Sequence, residues 1–442
     1  MEFEASQITI ANKPIKGIKI IGNKVTQRNA MHTIVLLDVS GSMNDNRKLE
    51  NVKKSLGFLL KFLQSNDKLT LVTFNYLSEV HIQNMNITQE YLQTFQHIIQ
   101  TLRAEGGTNL SAGLLNVKRI LDVCASENAS ISKTGLIILT DGHTNEGVTS
   151  MNDLLRIVES IKSTQPSISI TTIGYDDDHN AELLKSIAVN GGGSYNIVNN
   201  IEQVATVFGD ILGGLVTTVV QNCYAKFNSS WRTLNIYPSE IKDNSTILKI
   251  GDINAESETI LLFENTDNSV VEIGGITTTD FTTITTTINF VNLTSNLQSY
   301  YIAYIRFDLA NILQNIKTLS KDEITNRLTP IKQYLNTQQH PLVSYLKQQI
   351  TEIETQIINP QEINQNISQN IQASMCLAFG RGTSAFPRRV ARRLNFVNEN
   401  DLVDAMNNVN IMETPFANAT QRLVSQSAVN YTQESADDPM ES

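Results

Sequence analysis

Short runs of Ile, Leu and Val alternate with stretches of helical period between residues 33 and 212, and this alternation limits the possible folds of the chain most strongly. The runs are "TIVLLD" (33–38), "LTLVTFN" (69–75), "EVHIQ" (79–83), "GLIILTD" (135–141), "ISITTIGY" (168–175) and "SYNIV" (194–198). Between the first two, Leu49, Val52, Leu56, Leu59 and Leu63 keep to one helical face, and "MNDLLRIVESIKS" repeats the pattern. Strands that are apolar on both sides require helices on both faces of the sheet. The prediction is a doubly wound, mostly parallel, six-stranded α/β sheet. Only "YLS" separates the second and third strands, too little for a right-handed crossover, so the third is expected to be an antiparallel edge strand.

Beyond residue 215 the period changes. "LVTTVVQNCYAKF", "STILKI", "TILLFEN", "VVEIGG", "FTTITTTINF" and "SYYIAYIRF" alternate apolar and polar residues, which predicts an antiparallel β-sandwich over 216–305. Residues 1–30 also read as strands and are expected to join that β domain, with an α/β domain at 31–215 inserted between them. Helical period returns over 306–378 and predicts a small helical bundle, with Pro341 and Pro360 near helix starts and Pro330 expected to kink or split its helix. Residues 379–442 are rich in Gly, Asn and Ser and predict irregular chain with one helix at "ENDLVDAMNNV".

A formal charge of −10 argues against nucleic acid as a partner, because phosphate affinity needs clustered Lys and Arg. The one dense basic run, Arg388 to Arg393, reads as a solvated surface segment. Cys124, Cys223 and Cys376 are far apart and odd in number, which speaks for reduced thiols and a cytoplasmic setting rather than a disulfide framework. No apolar run approaches the ~18 residues that span a bilayer, so no membrane insertion is expected.

Ligands of an open parallel sheet bind beyond the carboxyl ends of its strands, where the strand order reverses. Asp38 and Asp141 end two strands that flank this reversal. Ser40 and Ser42 follow Asp38 at a spacing of two, on one side of an extended chain, with Gly41 expected to let the chain curl around a ligand. A third loop, "EGGTNLSAG", sets Thr108 just before a helix. Two carboxylates and three hydroxyls form a hard oxygen set suited to Mg²⁺, whereas zinc would ask for His or Cys. If the hydroxyls bind directly while one or both aspartates act through water, the ion stays under-neutralised and seeks an outside anion.

"DVSGSM", "GGTNLSAGL" and "LTDGHTNEG" together resemble the metal-ion-dependent adhesion site of von Willebrand factor type A domains, and "TIGYDDDHNAELLKSIAVNGGGSYNIV" is similar to the last third of intracellular members. The resemblance implies Mg²⁺ (or Mn²⁺) held by Asp38, Ser40, Ser42, Thr108 and Asp141, with the open position taken by an Asp or Glu of a protein partner. Asn44, Asn109 and His143 are expected at the rim of the site. The expected role is a non-enzymatic, metal-dependent protein-interaction module acting as scaffold or adaptor. Two other roles use the same ion: a metal-assisted hydrolase with His143 as its base, or a subunit of a larger assembly whose fold the metal stabilises. "YDDDHN" (Asp176 to Asp178) lacks the spacing of a calcium loop and reads as a solvated strand-to-helix connection.

Overall fold

A computed structural model describes residues 1–358 except 11–12, 25–29, 127–132, 142, 176–178, 199–206, 208–210, 236, 265–266, 291–296, 317 and 341. The expectations for Asp176 to Asp178, Pro341, Pro360, Cys376, the run Arg388 to Arg393 and the whole of 379–442 lie outside the described residues.

The chain opens with an antiparallel pair, β1 (Glu2–Ile10) and β2 (Lys13–Ile21). It then enters a compact unit, Lys24–Asn222 with Ile276–Thr283, built on a six-stranded sheet. The strands are β3 (Met31–Asp38), β4 (Lys68–Phe74), β5 (Ser78–Asn86), β6 (Lys133–Thr140), β7 (Ile168–Tyr175) and β8 (Gly192–Val198), in the order β5-β4-β3-β6-β7-β8. All pairings are parallel except that of the edge strand β5, whose short link to β4 permits only a hairpin. The doubly wound mixed α/β sheet expected from the alternation is the one observed.

Successive side chains of a strand point to opposite faces, and the core divides accordingly. Val35 and Leu37 pack under α1 (Lys48–Phe62) and α2 (Gln89–Thr101), through Val52, Leu56, Leu59, Phe95 and Ile99. Ile34 and Leu36 face α3 (Leu110–Ser126), α4 (Met151–Thr164) and α5 (Ala181–Asn190), through Leu114, Val117, Leu154, Val158 and Leu183. α3 approaches the sheet so closely that a Cβ on Gly113 would sit 2.8 Å from Leu36. Residues 211–217 form a further helix, α6, so the strand expected from Leu215 begins only at Thr218.

The second unit comprises Met1–Asn23, Cys223–Gly275 and the described residues from Ile284 onward. β2 pairs antiparallel with β13 (Glu258–Glu264), which also pairs with β10 (Arg232–Thr233), giving the sheet β1-β2-β13-β10. A five-stranded sheet has the order β11-β12-β9-β14-β15, from β9 (Thr218–Asn228), β11 (Ser239–Lys242), β12 (Ser245–Asn254), β14 (Val271–Thr277) and β15 (Thr283–Ile288). Phe227 of β9 meets Phe263 of β13 edge-on at 4.9 Å between ring centres, and Trp231 packs on the same Phe263 ring at 5.7 Å. Trp231 is buried and donates through Nε1 to Asp267.

Two sequence expectations fail here. "SYYIAYIRF" is the first half of the helix α7 (Gln298–Gln314), not a strand. Its aromatic, alternating composition favours β structure locally, but Tyr300, Ala303, Phe307 and Ala310 also recur at helical spacing. That stripe packs on Ile8, Ile10, Ile15 and Leu262, and tertiary burial outweighs the local preference. Of the two outcomes expected at Pro330, a kink or a split, the split does not occur. α8 (Lys321–Thr337) starts at a capping box between Ser320 and Glu323 and runs through the proline, with Ile324, Leu328, Ile331 and Leu335 buried on both sides of it. α9 (Val343–Ile358) completes the described chain and buries Leu346, Ile350 and Ile353.

Candidate metal centre

Parallel pairing of β3 with β6 in the register Leu37↔Leu139 brings Asp38 level with Thr140 and leaves Asp141 at the adjacent strand end. Both carboxylates are buried, with 0% of Asp38 and 1% of Asp141 exposed. Asp38 is held from two sides: the Ser40 backbone N–H donates to Oδ1 at 2.8 Å and the Thr140 hydroxyl donates to Oδ2. Burial pushes the Asp38 carboxyl up to about 6 against these hydrogen bonds, and the neighbouring Asp141 charge adds to the rise. Asp141 is not held in this way. Neither of its oxygens accepts a hydrogen bond among the described residues, and the nearest cation is the buried Lys48 ammonium, 3.6 Å from Oδ2.

The three loops of the site are knitted together through backbone. Val39 N–H donates to Phe74 O, Glu105 N–H to Val39 O and Gly41 N–H to Gly106 O, at 2.8, 2.8 and 3.0 Å, fixing the loop after β3 against the loop before α3. Thr108 donates its N–H to Asn145 Oδ1 at 2.8 Å and accepts at its carbonyl from the N–H groups of Asn145 and Glu146, which ties the loop after β6 to the same point. Asp38, Ser40, Thr108 and Asp141 are buried, while Ser42 is half-buried with its hydroxyl 3.3 Å from that of Ser40.

The rim residues differ among themselves. Asn44 and His143 are exposed. Asn109 turns its Oδ1 inward to accept from Ser111 Oγ and Ala112 N–H, capping α3. Gly41 does not supply the conformational freedom expected of it. Its φ is not left-handed, and a Cβ there would meet only Gly106 O at an ordinary 3.4 Å. The residue that needs glycine is Gly106, at φ +77° with the Tyr76 ring 2.5 Å from where a Cβ would stand.

Sequence reasoning missed four contributors. Thr140 could have been found from its place just before Asp141, at the end of the strand that neighbours the one ending in Asp38. Lys48 looks like a surface lysine at a helix start; it is buried, and it follows two residues in left-handed backbone, Asn46 and Arg47 (φ 51° and 57°). Tyr76 and Leu77, read as a mere linker, are 47% and 64% exposed beside the site, with Asn109 N–H donating to Asn75 O at 2.7 Å.

Among the described residues no group of three or more His, Cys, Asp and Glu gathers as a metal cluster. The residues present fit a hard cation. A buried carboxylate pair faced by a single ammonium is under-compensated, and Asp141 has oxygens to spare.

Comparison with known proteins bears on the fold that positions these residues. Residues 33–210 match the family model of the von Willebrand factor type A domain. The Escherichia coli (strain K12) protein YfbK is 26% identical over 254 residues, covering 54% of this chain and 42% of its own length. Bovine inter-alpha-trypsin inhibitor heavy chain H1 is 30% identical over 166 residues, 36% of this chain and 18% of its own length. The chain thus spans under half the length of the curated relatives it matches. A solved von Willebrand factor type A protein from Catenulispora acidiphila superposes with a TM-score of 0.53 at 16% identity, covering 71% of this chain and 80% of that one, a likeness of fold.

Proposed function

We propose that this chain is a metal-dependent protein-interaction module, because residues 33–210 match the von Willebrand factor type A domain and such domains typically mediate protein–protein interaction. Asp38, Ser40, Ser42, Thr108 and Asp141 would hold Mg²⁺ (or Mn²⁺), and an Asp or Glu of a protein partner would complete the site. The bound ion would supply a hard Lewis-acidic point with affinity for a carboxylate. The carrying observation is Asp141: a buried carboxylate whose oxygens accept no hydrogen bond among the described residues, one strand away from a second buried carboxylate.

The chain's own groups divide the work. The Ser40 N–H and the Thr140 hydroxyl fix the orientation of Asp38, Asn145 anchors the backbone of Thr108, and exposed Tyr76 and Leu77 offer a partner apolar surface beside the charge. We read the role as that of a scaffold or adaptor without catalysis, in which His143, exposed at the rim, would face the partner. We place the role in the cytoplasm on the sparse, unpatterned cysteine usage. Among the described residues no helix is long and apolar enough to cross a membrane.

The test is affinity capture from a native extract with wild type and Asp38→Ala, in Mg²⁺ and in chelator. A partner retained only by wild type in Mg²⁺ supports the reading. Equal capture by a folded Asp38→Ala variant in chelator overturns it.

A further inference from the structure

Among the described residues, the cation paired with the buried carboxylates is Lys48. Lys48 is 8% exposed, its ammonium lies 3.6 Å from Asp141 Oδ2, and it directly follows Asn46 and Arg47, which both take left-handed backbone just before α1. A lysine at a helix start ordinarily stays in water, where its ammonium is fully solvated. Two consecutive left-handed residues, one of them a long-chain arginine, are a costly way to bury one. The burial therefore needs a reason, and Asp141 is the only carboxylate with which Lys48 forms an ion pair among the described residues.

We propose that Lys48 is an affinity- and specificity-setting residue of the metal centre: a tethered cation that weakens divalent-ion binding and strengthens the hold of the loaded site on an anion. This inference rests on the metal reading given above. In formal charges Asp38 and Asp141 contribute two negatives and Lys48 one positive, so the buried set carries −1. A divalent ion brings it to +1. Without Lys48 the loaded set would be neutral, and a carboxylate ligand would gain much less from entering it. In the absence of a divalent ion the same ammonium compensates Asp141, so the crevice does not hold two buried carboxylates with no counter-charge.

Three variants test this in the full chain: Lys48→Met and Lys48→Gln, which remove the charge at similar length, and Lys48→Arg, which retains it. Mn²⁺ is titrated calorimetrically after chelation and desalting. ¹³C-labelled acetate is then added to the Mn²⁺-loaded protein and followed by paramagnetic broadening. Lys48→Met and Lys48→Gln are expected to bind Mn²⁺ at least about tenfold more tightly, since a unit charge a few ångströms away interacts strongly even at a high effective dielectric. Their loaded forms should bind acetate several-fold more weakly, while Lys48→Arg stays near wild type in both.

Unchanged or weaker Mn²⁺ binding in both neutral variants overturns the inference, and so does acetate binding that does not fall. If the metal-free neutral variants melt below the assay temperature, saturating Mg²⁺ must restore their fold; failure to restore it makes Lys48 a packing residue only. The two readings fail separately. Absence of Mn²⁺ binding in wild type removes the metal reading itself, whereas wild-type binding matched by identical binding in all variants removes only the role of Lys48.

Discussion

Acid should loosen the α/β unit through one buried histidine at the far end of the strand that carries Asp38. His32 lies at the start of β3, is 4% exposed, and shares a 2.8 Å hydrogen bond between Nε2 and Thr70 Oγ1, which also accepts from Asn84 N–H. Burial, reinforced by the Lys68 charge, lowers its pKa from 6.5 to about 4. A histidine depressed in the folded state binds fewer protons folded than unfolded between those two values. Its contribution is therefore complete above pH 6.5 and is lost as pH falls towards 4. A shift from 6.5 to about 4 corresponds to about 3 kcal/mol in full and about 2 kcal/mol by pH 5.

The assay is hydrogen exchange in the full chain, following peptides from β3 and β4 at pH 7.5 and pH 5 in chelator, with intrinsic rates corrected. Wild type should lose about 2 kcal/mol more opening free energy over that range than His32→Gln, which cannot take up the proton. Equal losses in the two proteins would refute the argument and shift the acid sensitivity to other groups.

Two further outcomes follow from the metal centre. Thr140→Val removes the hydroxyl that donates to the buried Asp38 carboxylate and should lower the stability of metal-free protein by about 1–3 kcal/mol; a thermal melt identical to wild type contradicts the geometry. Gly106→Ala forces a Cβ into a left-handed position against the Tyr76 ring and should cost about 1–2 kcal/mol. It should also weaken Mn²⁺ binding by displacing the loop that carries Thr108, whereas Gly41→Ala, which meets only an ordinary contact, should be close to neutral in both measurements.

Most of the α/β unit was legible because its signals are local. Continuous apolar runs such as "GLIILTD" can be satisfied only between two helical layers, and three residues between the second and third strands admit only a hairpin. The neighbouring strand ends that bring Asp38 and Asp141 to one crevice followed from topology alone. What the sequence concealed depends on contacts distant in the chain. Lys48 is indistinguishable from a solvated lysine until two unusual backbone conformations turn it inward. Tyr300 and its neighbours satisfy both the strand and the helix period, and only the apolar face formed by Ile8, Ile10, Ile15 and Leu262 decides between them. Gly41 was credited with flexibility by its place in the motif, whereas the strained position lies on the facing loop at Gly106.

The pairing of β2 with β13 also bears on how the chain is made. β2 forms its hairpin with β1 at once, but its other edge, with Ile18 opposite Leu261 and Ile20 opposite Thr259, must wait until Glu258–Glu264 has been synthesised. At about 5–20 residues per second the wait is on the order of 10–50 s. During that time the ribosome delivers the whole segment Lys24–Asn222, and a hairpin edge containing Ile15, Ile18 and Ile20 stays unpaired. An open apolar strand edge invites pairing with other chains. Lys13, Lys16 and Lys19, interleaved with those isoleucines, place positive charge along that edge, so the same segment that later closes the sheet carries its own protection against neighbouring nascent chains.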